Sequence, residues 1–211
     1  MRKISAALLV LLPAVCYSAS FDCNKAKSKV EKAICGDSEL SKLDEDMATA
    51  YKFALKTHPV SGYVKARQKD WLSLNGYCDR KKFNECLKAN YKTRIASLQI
   101  NNSTLVYASN KEFSYSNGDM VVEVTTDTGK VSVWGGFAMH NQASQAEGKP
   151  VYTGCEFEGV LKDKTLTSAI DSNGTQILFA IKNNHFEFDP NAQEKICAGF
   201  ASIPAEIKKV N

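Results

Sequence analysis

Apolar residues in the first half of the chain recur at helical intervals. Ser28-Lys29-Val30-Glu31 has the form of a capping box, which predicts a short helix ending near Cys35-Gly36. A second helix is predicted after Asp37-Ser38, and His58-Pro59 ends it because the residue before a proline avoids helical angles. Its apolar face consists of residues three and four positions apart, namely Leu40, Leu43, Met47, Tyr51 and Ala54.

Two further helices follow the same periodicity. The third carries Val64, Gln68, Trp71, Leu74 and Cys78, and the fourth, beginning near Asn84, carries Leu87, Tyr91, Ile95 and Leu98. The four segments predict a small helical bundle over residues 21–100.

The pattern changes to short β-rich runs after Leu105. Three hairpins are predicted, joining residues 120–125 to 131–134, 152–160 to 164–170 and 177–181 to 185–188. Successive antiparallel strands are typical of a small sandwich or barrel, so the fold class is α+β, with a β domain over residues 105–211. The polar residues 101–104 form the predicted linker, and Gly135-Gly136 predicts a bulge or bend.

The amino terminus has the form of an export signal. A basic start, Met1-Arg2-Lys3, precedes an apolar run from Ile4 to Val15, and the small residues Ser18-Ala19-Ser20 follow. This predicts a signal peptide over residues 1–20, a mature chain from Phe21, and a periplasmic or secreted protein. The run is shorter than the roughly 20 residues that cross a bilayer, and no later segment predicts a transmembrane helix.

Lipidation at Cys16 is the alternative to a soluble mature chain. Bacterial lipoprotein signals favour a small residue just before the cysteine and a leucine three residues before it. Val15 and Pro13 occupy those positions, which favours the soluble form.

An even set of cysteines remains beyond the signal, and in an exported chain this predicts three disulfides. The set is Cys23, Cys35, Cys78, Cys86, Cys155 and Cys197. The last two stand alone in the second half and are predicted to pair, and Cys78 with Cys86 would lock a helical hairpin. Cys23 then pairs with Cys35, although a pairing crossed with the hairpin stays open.

The sequence predicts no catalytic, metal or cofactor site. No Cys-x-x-Cys occurs, and His58, His140 and His185 are scattered, which disfavours zinc. Glu156 and Glu158 would share one strand face, but strand alternation alone produces such a pair, so a glycosidase-like role is disfavoured. The charge, +6 over residues 21–100 and −4 over residues 101–211, is interpreted as solvated surface, and no nucleic-acid partner is predicted.

Several residues of the first half carry a resemblance to a known family. They are Cys23, Ala26, Glu31, Ile34-Cys35, Leu40, Leu43-Asp44, Tyr51, Arg67-Gln68, Trp71, Cys78, Cys86-Leu87, Tyr91, Arg94 and Leu98. Together they resemble the N-terminal domain of the bacterial lysozyme inhibitor LprI family. The resemblance covers about 80 residues and implies an all-helical, disulfide-bonded envelope domain with lysozyme inhibition as its activity.

Four charged residues of this pattern predict a structural polar network. Glu31 and Asp44 are candidates to pair with Arg67 or Arg94, because arginine binds a carboxylate with two parallel hydrogen bonds. A structural role is favoured over a catalytic one, since buried charges are ordinarily paired. Trp71 and Tyr91 are interpreted as core aromatics.

The predicted function is stoichiometric inhibition of a lysozyme or another peptidoglycan hydrolase, without turnover. Common animal lysozymes are strongly basic, so long-range attraction favours the acidic β half over the basic helical half. The alternative is a periplasmic structural, ligand-binding or immunity protein. An enzyme is disfavoured by the scattered histidines and the absence of a Gly-x-Ser-x-Gly elbow.

Overall fold

A computed structural model describes the chain from residue 19 to residue 210, with gaps. The described ranges are 19–78, 82–99, 103–114, 117–126, 128–139, 151–162, 165–170, 176–182, 184–188 and 206–210. Within these ranges the first half contains four helices: α1 (Lys29–Gly36), α2 (Ser38–Thr57), α3 (Ser61–Leu74) and α4 (Phe83–Leu98). The predicted helical half is therefore confirmed.

Local hydrogen bonds explain where these helices begin and end. Ser28 and Glu31 form the predicted capping box at the start of α1, each side chain accepting from the other's backbone N–H. The Asp37 carboxylate accepts the N–H groups of Glu39 and Leu40 and so caps α2. α3 ends four residues earlier than the apolar series implied, because a 3-10 turn over Asn75–Tyr77 precedes Cys78.

Two of the three predicted disulfides are present. Cys23 is bonded to Cys35 and Cys78 to Cys86, with Cα atoms 5.7 Å and 5.8 Å apart, so the crossed pairing is excluded. The first bond is possible because residues 23–25 form a 3-10 turn outside α1 rather than extending it. The predicted pairing of Cys155 with Cys197 lies outside the described residues.

The helices enclose their own hydrophobic core. Its buried members are Ala19, Ile34, Leu40, Met47, Cys78, Phe83, Leu87 and Tyr91. Trp71 packs edge-on against Tyr91 with ring centroids 4.9 Å apart, so the two predicted core aromatics contact each other.

In the described ranges of the second half, eight strands close into an antiparallel barrel. They are β1 (Thr104–Ala108), β2 (Met120–Thr125), β3 (Lys130–Met139), β4 (Val151–Lys162), β5 (Thr165–Ile170), β6 (Gln176–Lys182), β7 (His185–Phe188) and β8 (Glu206–Lys209). Each strand pairs with the next in sequence, and β8 pairs with β1. The α+β class is confirmed, and the three hairpins occur as predicted. Neither β1 nor β8 was predicted, because runs of five and four residues show too little alternation.

The bulge expected at Gly135-Gly136 is wrong. β3 runs through both glycines, with Gly135 opposite Met120 on β2 and Cys155 on β4. A Cβ at Gly135 would lie 3.1 Å from Met120 Cγ, so the missing side chain gives room to a neighbouring methionine. The shifts in register lie elsewhere, between β4 and β5 and between β5 and β6.

The barrel has an inner apolar face and an outer face that carries the helices. Tyr107 and Phe186, with ring centroids 5.9 Å apart, lie inside. Outward residues of β1, β2 and β3 join helical residues in a second buried cluster, comprising Ala54, Val60, Tyr63, Val64, Leu98, Val106, Ala108, Phe113, Val121 and Trp134. The two halves therefore share a hydrophobic core. Among the described helices, none has the length and apolarity that crossing a bilayer demands.

Candidate functional site

A buried polar cluster lies where the helices meet the barrel. Glu123 on β2 accepts from the hydroxyl of Tyr63 at 3.0 Å through Oε2, and its Oε1 lies 3.2 Å from His58 Nε2. His58 Nδ1 accepts the N–H of Val60 at 2.9 Å, so the ring proton of the neutral imidazole is on Nε2 and is donated to Glu123. Burial, and next the Glu123 carboxylate, raise the pKa of Tyr63, which keeps its hydroxyl protonated as a donor.

Arg67 extends this cluster toward the surface. Its Nη1 donates to the Tyr63 hydroxyl at 3.2 Å, and its guanidinium carbon lies 5.4 Å from the centroid of the Trp134 ring. The ring of Trp134 in turn packs edge-on against Tyr63 at 5.5 Å. Arg67 therefore stabilises the packing of the Tyr63 ring, on α3, against the Trp134 ring, on β3.

Arg94 lies in the helical half and bonds to neutral side chains. Its Nε donates to Gln68 Oε1 at 2.9 Å and its Nη1 to Ser97 Oγ at 3.2 Å. Gln68 Nε2 is directed at Met47 Sδ, 3.1 Å away. The buried guanidinium thus orders two helices through amide and hydroxyl contacts.

The two acidic residues expected to pair with these arginines have other partners. Asp44 is buried and accepts from the Tyr91 hydroxyl at 2.9 Å and the Ser20 N–H at 2.8 Å. Glu31 lies at the surface in the capping box, where backbone hydrogen bonds from Ser28 and Lys27 lower its pKa. The structure therefore does not assemble the four predicted residues into one network, because the carboxylates of Asp44 and Glu31 are hydrogen-bonded to other neighbours.

A groove of about 1050 Å³ opens between the helices and the outer barrel wall. Its helical side includes Arg67, Asp70, Trp71, Asn75, Asn90 and Arg94, and its barrel side includes Glu123, Lys130, Ser132, Trp134 and Glu158. Asn75 is 2% exposed, and its Nδ2 has no hydrogen-bond partner among the described residues. An amide donor that is buried beside a groove without an acceptor favours a ligand that brings one.

Neither the groove nor the barrel rim contains a catalytic pair among the described side chains. Glu158 forms a surface ion pair with Lys130 at 3.0 Å, and the side chain of Glu156 lies outside the described part. His185 Nε2 contacts Glu187 Oε1 at 2.8 Å on β7. The described residues contain no cluster of three metal-ligating side chains, and His140 lies outside them.

The junction residues were missed by the sequence analysis. His58 was interpreted as a helix end and as one of three scattered histidines, and Tyr63 was not considered. The one signal that could have identified them is Glu123, a carboxylate within the otherwise apolar strand Met120–Thr125. Such a residue on a strand with two buried faces requires a buried partner.

Fold and site together define a class of protein. It is a disulfide-bonded helical unit packed against the outside of an eight-stranded barrel, and it carries a surface groove at the junction. No family model matches the chain, and no solved structure matches it.

Sequence comparison connects this chain with the LprI proteins of mycobacteria. It is 34% identical over 82 residues to Lipoprotein LprI of Mycobacterium tuberculosis (strain ATCC 25618 / H37Rv), and equally to Lipoprotein LprI of Mycobacterium bovis (strain ATCC BAA-935 / AF2122/97). The match covers 38% of this chain and 41% of each relative, so it spans less than half of their length. The similarity supports the resemblance to the LprI family that the first-half residues carry.

Proposed function

We propose that this protein is exported to the bacterial envelope, where it binds a lysozyme or related peptidoglycan hydrolase and occludes the substrate cleft. The observation that carries the proposal is the 34% identity to Lipoprotein LprI over 82 residues, taken with the family's implied activity. Inhibition by occlusion needs a rigid surface and no turnover. The two disulfides of the helical half supply that rigidity.

The end of α3 is the surface that best fits such a contact. Leu72, Leu74 and Tyr77 are 57%, 60% and 84% exposed, although large apolar side chains are normally buried. Tyr77 directly precedes Cys78, so the disulfide to Cys86 holds its backbone in place. We name these three exposed residues the α3 tip. Tyrosine is enriched among the residues that dominate binding energy, and a fixed backbone reduces the entropy lost on binding.

The groove beside the α3 tip carries charges of both signs. Asp70 and Glu158 line it on opposite sides, one from the helices and one from the barrel. Arg67, Arg94 and Lys130 line the same groove, so a partner must complement both signs of charge.

A turbidity assay with peptidoglycan and the mature chain tests this proposal. Protection should reach completion near a 1:1 molar ratio, and a saccharide that fills the hydrolase cleft should compete. Tyr77→Ala should weaken inhibition by about 30-fold, the effect of losing a residue worth about 2 kcal/mol at an interface. Phe53→Ala is the matched control, because Phe53 is also a large exposed residue, 57% exposed on α2, but it is not part of the α3 tip and does not line the groove. Absence of protection against several lysozyme classes would exclude the proposal.

A ligand-binding protein of the envelope is the second candidate. It is favoured by the groove of about 1050 Å³ and by the buried Nδ2 of Asn75, which awaits an acceptor. Soluble peptidoglycan fragments are suitable probes, since their sugars and peptides carry many acceptor oxygens. Binding that Asn75→Asp abolishes, without any effect on lysozyme, would favour this candidate over inhibition.

A further inference from the structure

Two residues at the end of the predicted signal peptide belong to the folded core. Ala19 is 6% exposed and lies in the same buried cluster as Ile34, Leu40 and Phe83. Ser20 donates its backbone N–H to Asp44 Oδ2 at 2.8 Å. Cleavage before Phe21 would remove both contacts from the mature protein.

The contact to Asp44 is the more consequential of the two. Asp44 is 4% exposed, and its described hydrogen bonds come from two neutral donors, the Ser20 N–H and the Tyr91 hydroxyl. No lysine or arginine among the described residues forms an ion pair with it. A buried carboxylate is costly when a donor is lost, and it is stabilised by any positive charge nearby.

The sequence permits a cut that keeps both residues. Signal peptidase requires small residues one and three positions before the cleaved bond. Ser18 and Cys16 meet this requirement for a cut before Ala19, just as Ser20 and Ser18 meet it for a cut before Phe21. The sequence rule does not separate the two sites, whereas the contacts of Ala19 and Ser20 do.

We propose that signal peptidase hydrolyses the Ser18–Ala19 bond and that the new amino terminus becomes the cationic partner of Asp44. Water adds across the peptide bond, leaving a carboxylate on Ser18 and an amine on Ala19 that is mostly protonated at neutral pH. Consecutive backbone nitrogens are at most about 3.7 Å apart, so this ammonium lies within about 6.5 Å of Asp44 Oδ2. Opposite charges at that distance beside a buried site attract with little screening.

Maturation would then be part of folding, which rests on the proposed export but not on the proposed inhibitory activity. In the uncleaved chain the nitrogen of Ala19 is a neutral amide, so Asp44 has only neutral donors. Cleavage adds the charge, and the helical half is therefore expected to be most stable after export.

The cleavage site is tested on the full chain, expressed with its own amino terminus and recovered from the periplasm. N-terminal sequencing should give Ala-Ser-Phe-Asp, and the intact mass should exceed that of a Phe21 start by one alanine and one serine residue. A Phe21 start, or a lipid-modified Cys16 start, would overturn the assignment.

The role of the ammonium is tested on chains that end at residue 211 and begin at defined positions. Acetylating the amine of the Ala19 form should lower its thermal midpoint by several degrees, and starting at Phe21 should lower it further. In an Asp44→Asn background, acetylation should change the midpoint by less than about one degree, since the carboxylate charge is gone. An acetylation effect that is absent in the native chain, or equal in both backgrounds, would refute the charge pairing.

Discussion

Removing the Glu123 carboxylate tests how the two halves are held together. Glu123→Ala takes away the acceptor of two buried donors, the Tyr63 hydroxyl and the His58 Nε2–H. Tyr63 is 3% exposed and the His58 side chain 2%, so water does not reach either donor in the folded protein.

The expected loss of stability follows from these two donors. A buried donor left without an acceptor costs about 1–3 kcal/mol, so two such donors give about 2–6 kcal/mol. Arg67 still donates to the Tyr63 hydroxyl oxygen, which keeps part of the local order. We therefore expect the free energy of unfolding to fall by about 3 kcal/mol. Glu123→Gln keeps one acceptor oxygen and should cost about 1 kcal/mol.

Urea unfolding, followed by far-UV circular dichroism and tryptophan fluorescence, measures the effect. A loss of about 3 kcal/mol shifts the midpoint by about 1–2 M for a chain of this size. Fluorescence is informative because Trp134 contacts Tyr63 in the same cluster. Glu158→Ala is the matched control on β4, which is separated from β2 by β3. Its ion pair with Lys130 is about half exposed and should contribute less than about 1 kcal/mol.

Unfolding free energies of Glu123→Ala and Glu158→Ala within about 0.5 kcal/mol of each other, the usual range for surface substitutions, would contradict this role of Glu123. A double-mutant cycle with Tyr63→Phe separates the hydrogen bond from the rest of the cluster. We expect a coupling energy of at least about 1 kcal/mol between Tyr63 and Glu123.

Three other features give further predictions. Gly62→Ala should destabilise the protein by about 2 kcal/mol, because the new Cβ would lie 2.8 Å from the backbone oxygen of Phe113 in the barrel half. Gly36→Ala is the control: a Cβ there would meet no atom within 4 Å, so the same urea titration should show no change in stability. Burial and a neighbouring carboxylate raise the pKa of Tyr91, so the folded state holds a proton that the unfolded state releases above about pH 10. Stability should therefore fall by about 1.4 kcal/mol per pH unit above that pH, and Tyr91→Phe should flatten the slope. Replacing Cys78 and Cys86 by serine should lower the free energy of unfolding by about 2.5 kcal/mol, as expected for closure of so short a loop, and calorimetry will detect this.

Local sequence signals predicted the elements of this fold well. The capping box at Ser28 and the proline after His58 set helix boundaries through contacts between near neighbours, which a sequence displays directly. The disulfides Cys23–Cys35 and Cys78–Cys86 followed from proximity along the chain. Closure of the barrel depends instead on β8, a strand of four residues. Its partner β1 is far away in sequence, and its partner β7 is too short to show a clear pattern.

The candidate site was predicted less well, because its contacts cross from one half to the other. Glu123 meets His58 and Tyr63 across long stretches of sequence, with separations of 65 and 60 residues. The expectation that carboxylates pair with arginines was chemically reasonable. It did not identify partners, since a tyrosine hydroxyl or a backbone N–H near the start of the chain satisfies Asp44 equally well.

The shared core limits which surface of the helical half is available to a partner. Val60 and Val64 on the helical side pack against Val106 and Val121 of the barrel, so that helix face is already covered. Residues 101–104 therefore mark a change in the sequence pattern, but the hydrophobic packing continues from the helices into the barrel. We infer that the helical half, which carries the family resemblance, acts through surfaces the barrel leaves open. The α3 tip is one of these, and the groove beside it is formed jointly by both halves.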